Sequence, residues 1–580
     1  MQLKNKNKNM KKILLTALAA VGLMTFVSCS DSDFDEKYAD PSKTTTVGVP
    51  QVFTGVLQAG NTWMNPIYYR YYVQSTTSGT FSGVIGNSNG RGRFRGASEG
   101  YFNTRWQNFY NMLTQFRVLE DTYNNLGEDE KPVNEIFYYL GRTLVEAQLH
   151  EMLSLFGDVP FNGAGTLWKS GDYGKAKELA VYEDDVQLYT QILNDLKEVG
   201  DYFAAGNINS VGVASLGRQD YTMAAGNVEM WQRYVNSLRL RIALHLATNG
   251  DLTSTARSAI AEILNNPSRY PLIESNDQNM GVTADTQTDT FNFGKSVAQA
   301  LAGRGEGAGS QAMLDAMNVP AGGVPDANTD PRLPAIYDCN PDGEYIAYNN
   351  ALSDTEISSI ADEKNKEYIE RGINPANYYC YIDSIAVAGW ATYQGNANLH
   401  GIWISAAEVA LSKAEAYVMG YGVAANEAVA KENFINGVVL SEEYFWNLKV
   451  NSSLAKEGND SYNGYRELVV PTTDDFKAYA EKIWANTQEC VATQLWLNHC
   501  FMNELEAWNV TRRTGFPNVK FARDTQVSDY PTPPNRLPYP SDELNFNRDN
   551  CQAAISTNYK ETTGYYTNLF WAKEVYYSLY

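Results

Sequence analysis

The residues best suited to chemistry are aromatic, and two stretches rich in them fall in long segments without a clear helical period. The first holds Trp63, Tyr68, Tyr69, Tyr71 and Tyr72, then Asn87, Asn89, Arg91, Arg93, Phe94, Arg95 and Tyr101. The second holds Tyr345, Tyr348, Tyr378, Tyr379, Tyr381, Trp390 and Tyr393, with Asn396 close behind. An aromatic face stacks on the apolar face of a pyranose, while Asn and Arg hydrogen-bond its vicinal hydroxyls. The same rings also serve helix contacts and protein interfaces, so most of the 39 tyrosines are expected in the core or half-buried. Arg91, Arg93 and Arg95 alternate. An extended segment would turn all three one way and offer guanidinium forks to carboxylates; the other use is pairing with acids of the chain itself. Trp390 with Tyr393 and Asn396, flanked by glycines, is the tightest single cluster.

Motifs for making and breaking bonds are missing. His150-Glu151 opens like a zincin helix, but Ser154 stands where the second histidine belongs, and the chain has only four histidines. No Gly-x-Ser-x-Gly elbow occurs. Gly303 to Gly309 is glycine-dense, yet no strand precedes it and Glu306 sits inside it, which fits a loop better than a phosphate cradle. Asp338-Cys-Asn340-Pro-Asp342-Gly343 has the front half of a calcium-loop spacing, but Asn349 takes the twelfth position and Pro341 stiffens the turn. Glycosidase-type acid pairs depend on spatial separation and are not legible in order along the chain. No metal and no cofactor are expected.

The elements that must position these residues are mostly helices. Apolar residues recur at three- and four-residue spacing over Trp106–Leu126, Ile136–Leu155, Asp185–Phe203, Val228–Ala247, Leu252–Leu264, Ile404–Met419, Ala424–Val439 and Thr487–Ala507. Several run in pairs with short breaks, as at 124–131, 249–251 and 420–423, and helix hairpins of that kind stack into a tetratricopeptide-type solenoid. Long stretches without a clear period fill 61–103, 266–403 and 441–485, with a tail from 517; loops that long are usually functional.

Composition bounds the setting. Lys4, Lys6, Lys8, Lys11 and Lys12 precede an apolar run, Ile13 to Val27, that ends at Phe26-Val27-Ser28-Cys29. The order is that of a secretory signal ending at a lipidation cysteine, and the run falls short of the roughly 20 residues a spanning helix needs. A plain signal peptide or a lone membrane helix is the alternative. Acylation of Cys29 would tether the protein by lipid, and the acidic tract Ser30 to Glu36 resembles a signal that sends some lipoproteins to the outer face of the outer membrane. Removing residues 1–28 takes away five lysines and no acids, moving the formal charge from −21 to −26. So strong an anion is not expected to bind nucleic acid. Five cysteines remain beyond Cys29, widely spaced and without CxxC, so neither a zinc site nor a full disulfide framework is indicated; Cys339, Cys380, Cys490, Cys500 and Cys551 are open as thiols or one or two disulfides.

Ordered motifs then point to a family. Arg105-Trp106-Gln-Asn-Phe-Tyr110 opens one helix, and Phe156-Gly-Asp158-Val-Pro160 closes the next. Trp231 with Asn236-Ser-Leu-Arg239-Leu-Arg241, Asp330-Pro-Arg332-Leu333, Ala407-Glu408-Val409 and Ala414-Glu415-Ala416 follow. Glu506-Ala-Trp508 through Arg512-Arg513-Thr-Gly515-Phe-Pro517 and Arg536-Leu-Pro538-Tyr539-Pro540 complete the set. In this order, with the lipobox, the chain resembles SusD/RagB-type outer-membrane lipoproteins, the substrate-binding partners of SusC-like TonB-dependent transporters. The resemblance implies a mainly α fold, tetratricopeptide-type hairpins at about 104–265 and 404–515, and a ligand-loop insertion at about 266–403. It divides the chain into a signal peptide (1–28), a lipidated acidic tether (29–60) and one domain (61–580). It also implies that a glycan is captured at the cell surface by Trp63, Tyr69, Asn87, Arg93, Arg95, Tyr101, Tyr345, Trp390, Tyr393 and Asn396, and delivered to the transporter. Some members take peptides instead, and a scaffold without small ligand is a further alternative. Most of the motifs themselves have structural readings: Gly157 as a left-handed helix stop, Arg512 and Arg513 as partners of carboxylates and a helix end.

Overall fold

The computed structural model describes residues 47–86, 93–96, 99–301, 307–389, 394–454, 469–525, 527–561 and 564–580. Val49–Tyr580 forms one compact unit, mainly helical as expected, with paired strands of two to four residues only. Cys29 and the run before it lie outside the described residues. No helix among the described residues is long and apolar enough to cross a membrane.

The helices used below are numbered in chain order, short turns aside. Helix α1 is Val49–Met64 and α2 is Tyr68–Gln74, which continues through a π-helical turn, Ser75–Gly79, to Ser82. Then come α3 (Glu99–Asn124), α4 (Lys131–Phe156), α5 (Asp185–Ala205), α6 (Ser210–Gln219), α7 (Val228–Leu246) and α8 (Thr253–Asn265). The insertion carries α9 (Phe293–Ala300), α10 (Gln311–Ala316) and α11 (Asp354–Glu370). The second half has α12 (Ala406–Met419), α13 (Glu427–Val450), α14 (Thr473–Ile483), α15 (Gln488–His499) and α16 (Glu504–Thr514), and the tail adds α17 (Ser541–Phe546) and α18 (Arg548–Asn558).

The pairs α3/α4, α7/α8 and α12/α13 are helix hairpins, as their short breaks implied. Their starts follow local chemistry: Asp184 caps α5 through Gln187 N at 3.0 Å, Asn227 caps α7, and Ser405 caps α12 through Glu408 N at 3.2 Å. Two spans differ from expectation. The tether read as ending at residue 60 ends by Gly48, because α1 buries Val52, Phe53, Val56, Leu57, Trp63 and Met64 on one face against α3 and α4. The single helix expected over 487–507 breaks at Cys500, whose φ of 22° separates α15 from α16. Gly157 does close α4 with a positive φ of 70°, but its ψ of −131° is the mirror of extended backbone rather than a left-handed helical stop.

The motifs that carry the resemblance are one another's partners. Arg241 binds Glu408 through two hydrogen bonds of 2.5 and 2.7 Å, and Arg513 binds Glu415 at 2.5 and 2.6 Å. Arg332 and Asp330 pair at 2.6 Å with no exposure on either side chain. Arg512 departs from its expected acid: it donates to the Asn535 carbonyl and Asn509 and lies 3.6 Å over the Trp508 ring. Three of the four histidines also converge in the core. His150 meets Glu506 at 3.2 Å, the His245 ring stands 4.9 Å from that of His150, and buried His499 lies in the same charge cluster.

Candidate functional site

Asn65-Pro66 ends α1 and starts α2, whose sequence Tyr68-Tyr69-Arg70-Tyr71-Tyr72 sorts its side chains by helical geometry. Arg70 and Tyr71 turn inward. Tyr68, Tyr69 and Tyr72 turn outward, and Tyr101 in the first turns of α3 joins them. Tyr68 and Tyr72 are stacked, with centroids 5.9 Å apart and planes at 9°. Tyr101 lies 5.0 Å from Tyr72 and 6.0 Å from Tyr69. Tyr69 is 48 % exposed and the other three are half-buried, so four rings form an aromatic platform at the surface.

The platform has a stiff base. Arg105, one turn below Tyr101, pairs with Glu151 at 3.3 Å and places its guanidinium 4.9 Å over the Trp63 ring. Arg70 pairs with the same carboxylate at 3.6 Å and donates to the Met64 carbonyl. Burial lowers the Arg105 pKa to about 10, against the raising field of Glu151. These contacts pin α2 to α3 and α4, which leaves the tyrosines little freedom to lose on binding.

The two aromatic stretches of the sequence meet through α9. That helix packs on α2 and on the hairpin Ala388–Gly389/Gln394–Gly395, where Gly294 and Gly395 approach too closely for any Cβ. Trp390 and Tyr393, between the hairpin arms, lie outside the described residues, as do Asn87 and Arg91. A second group lies beside Gly86: Tyr348 and Tyr379 stack at 4.1 Å and 23°, with Tyr378 edge-on at 4.8 Å from Tyr379. Gly86 abuts it so closely that a Cβ would lie 2.2 Å from the Gly309 carbonyl oxygen.

Four of the expected ligand residues are structural instead. Trp63 is 2 % exposed, beneath the platform rather than on it. Arg93 is buried, donating to the Asn350 and Leu352 carbonyls and to Asp354, each at 2.8 to 2.9 Å. Its segment is a turn, not a strand, so Arg95 points to solvent and the two arginines do not share a side. Tyr345 is core, and fully buried Asn396 fastens the hairpin base through the Ala386 and Leu448 carbonyls. Tyr69 and Arg95 are exposed and Tyr101 is half-buried at the surface. Tyr68 and Tyr72 are the additions, and four tyrosines in five residues was the available signal.

The remaining motifs are occupied internally. Asn340 Oδ1 accepts from Asp342 N and Glu344 N, and Asp342 is held by Arg371 and Tyr368, which makes this segment a turn. Among the described residues no three His, Cys, Asp or Glu side chains are grouped to hold a metal. The five described cysteines are free thiols. The segment 302–306, most of the glycine-dense run, lies outside the described residues.

Comparison with known proteins agrees with this architecture. A SusD-like family described as "Starch-binding associating with outer membrane" matches residues 57–540. A solved structure described as a chitin-binding protein superposes with a TM-score of 0.66 at 18 % identity, covering 90 % of this chain and 99 % of that one. A SusD-like protein from Bacteroides thetaiotaomicron gives 0.61 at 19 % identity, covering 90 % and 98 %. A chitin-binding SusD homolog from Flavobacterium johnsoniae gives 0.59 at 16 % identity, with the same coverage of 90 % and 98 %. No curated protein matches the sequence. With its motifs interlocked in the core and the family pattern spanning most of its length, the chain belongs to the SusD-like family.

Proposed function

We propose that this protein is a cell-surface glycan-binding lipoprotein that captures an oligo- or polysaccharide and passes it to a SusC-like TonB-dependent transporter, without chemical turnover. The observation that carries the reading is the platform of Tyr68, Tyr69, Tyr72 and Tyr101: four ordered rings on a rigid base, half-exposed, in a protein of this family. Such a surface stacks on sugar rings while its phenols hydrogen-bond hydroxyls. The family description names starch, and two structurally similar proteins are described as chitin-binding, which supports a neutral glycan. A peptide ligand would lean on the arginine trio, and Arg93 is spent inside the protein.

Lipid attachment at Cys29 would hold the domain at the outer membrane by residues 29–48. Acyl labelling of cells, with Cys29→Ser as control, tests the anchor. Isolation of the protein from outer membranes in mild detergent tests the partner: co-purification of a large β-barrel transporter supports delivery, and a protein that elutes alone contradicts it.

A further inference from the structure

The register of one short strand pair sets two of the described cysteines opposite each other. Tyr337–Asp338 runs antiparallel to Tyr381–Ile382, with Tyr337 facing Ile382 and Asp338 facing Tyr381. One step further in the same register, Cys339 faces Cys380. The hydrogen bonds say which kind of pair this is. Asp383 N donates to the Ile336 carbonyl at 2.8 Å, so 336/383 and 338/381 are the bonded positions of the ladder, and 337/382 and 339/380 alternate with them as non-bonded ones. Cys380 agrees. Its N–H donates to the Ile346 carbonyl at 2.6 Å and its carbonyl accepts from Gly309 N at 2.9 Å, both on other strands of chain. A non-bonded antiparallel pair brings its Cα atoms to about 4.5 Å with both side chains on one face, and a disulfide spans Cα atoms about 4.4 to 6.8 Å apart. Cys490 and Cys551 lie in α15 and α18 and Cys500 at the break after α15, so no other two described cysteines are set together by a strand register. Cys339 is 7 % exposed and Cys380 1 %. The Cys380 Sγ leans into the space that Gly309 leaves by having no Cβ, and reaching Cys339 takes one turn about its Cα–Cβ bond. Between the two, 340–379 carries α11, Tyr348, Tyr378 and Tyr379, and is tied within itself where Arg371 and Tyr368 both bind Asp342.

We infer that Cys339 and Cys380, thiols in this structure, are joined by a disulfide in the exported protein, as a covalent clasp at the root of the 340–379 excursion. The bond forms by exchange with a disulfide oxidant, either a small molecule or an oxidised protein dithiol. The thiolate of Cys339, the less buried of the two, attacks one sulfur of the oxidant, and the other sulfur leaves and takes up a proton. The Cys380 thiolate then attacks the Cys339 sulfur and expels the second sulfur of the oxidant. The two cysteines give up two electrons and two protons, and the oxidant ends as two thiols. Burial pushes the Cys380 thiol up, with Asp338 and Cys339 adding to the rise, so the second step belongs to folding, before the strands close over the thiol. Closing so long a loop restricts the unfolded chain and so stabilises the fold. It also anchors Tyr379, the neighbour of Cys380, in its stack with Tyr348. The inference is independent of the glycan reading and rests on export to an oxidising compartment.

For the test, the protein is isolated from the cells that make it, denatured with iodoacetamide present to cap thiols, and digested, and peptide masses are compared before and after reduction. The expected result is one pair of peptides joined through Cys339 and Cys380, short of two hydrogens and separated by reductant, with Cys490 and Cys551 capped. Capping of both Cys339 and Cys380, or a link from either to Cys500, overturns the clasp. Where the same sample carries an acyl chain at Cys29, the failure is of the pairing; where it carries none, the export reading fails with it. The urea midpoint gives a second readout. Reductant is expected to lower the midpoint of the intact protein and to leave that of Cys339→Ala/Cys380→Ala unmoved, and an equal response in both proteins overturns the clasp.

Discussion

Trp63 and Tyr69 stand six residues apart in one aromatic run and have opposite fates. Trp63 fills the space under Arg105 and the platform, so Trp63→Ala should cost about 3–5 kcal/mol of stability, read as a lower melting temperature or denaturant midpoint. Tyr69→Ala removes a half-exposed ring and should leave the melting temperature nearly unchanged while weakening glycan retention. Arg93→Ala should behave like Trp63→Ala in kind, because it releases two carbonyls and Asp354 together. Residue type pointed to a neighbourhood in which the structure gathers aromatic rings at the surface. It did not say which rings face out. Tyr68 to Tyr72 carries its one charged residue, Arg70, on the buried side, so period does not reveal which side is inside, and the sorting is done by Arg70 and Arg105 reaching inward to Glu151.

At the scale of elements, the long amphipathic helices were legible and the short or interrupted ones were not. Helix α1 was hidden by the polar stretch before it, although its Val52, Phe53, Val56 and Leu57 spacing is regular; the break at Cys500 carries no Gly or Pro to announce it. The links between elements are ion pairs between helices far apart in sequence, which no local pattern reports. Arg513→Ala should cost about 3–5 kcal/mol by stranding buried Glu415, and replacing both partners with apolar residues should recover much of that loss, read by chemical denaturation. The histidine cluster predicts a pH dependence. Burial, and then the field of His150, hold the His245 pKa well below its ordinary 6.5, with Arg512 and Arg513 adding to the depression and Glu506 opposing it. The folded form therefore refuses a proton that the unfolded chain accepts, so stability present above about pH 6.5 is lost progressively as the pH falls from there toward the lower pKa of the folded form. Denaturation between about pH 7.5 and 5 should show this decline, and His245→Gln should make it shallower, with His499 and His400, also lowered by burial, keeping the rest; a decline of the same slope in both proteins would assign it to other groups.

For the whole molecule, the layout is a stack of helix hairpins with the tyrosine platform on the short helix α2 and the start of α3. The family was legible because its motifs are structural. Arg241 with Glu408, Arg513 with Glu415, and Arg332 with Ser441 and Gln494 hold distant segments together, so their order along the chain is the fold written in sequence. The proposed ligand surface was less legible, because exposed rings lack the paired charges that mark the core motifs. The central claim is that the α2–α3 tyrosine platform binds glycan. The most direct test is affinity gel electrophoresis of the mature chain and of Tyr69→Ala/Tyr101→Ala against a panel of plant and host polysaccharides. Retardation of the intact protein by a particular glycan, lost in the double variant while its melting temperature holds, is the predicted result. Equal retardation of both proteins would place the site elsewhere, and no retardation of the folded protein by any member of the panel would contradict glycan capture itself.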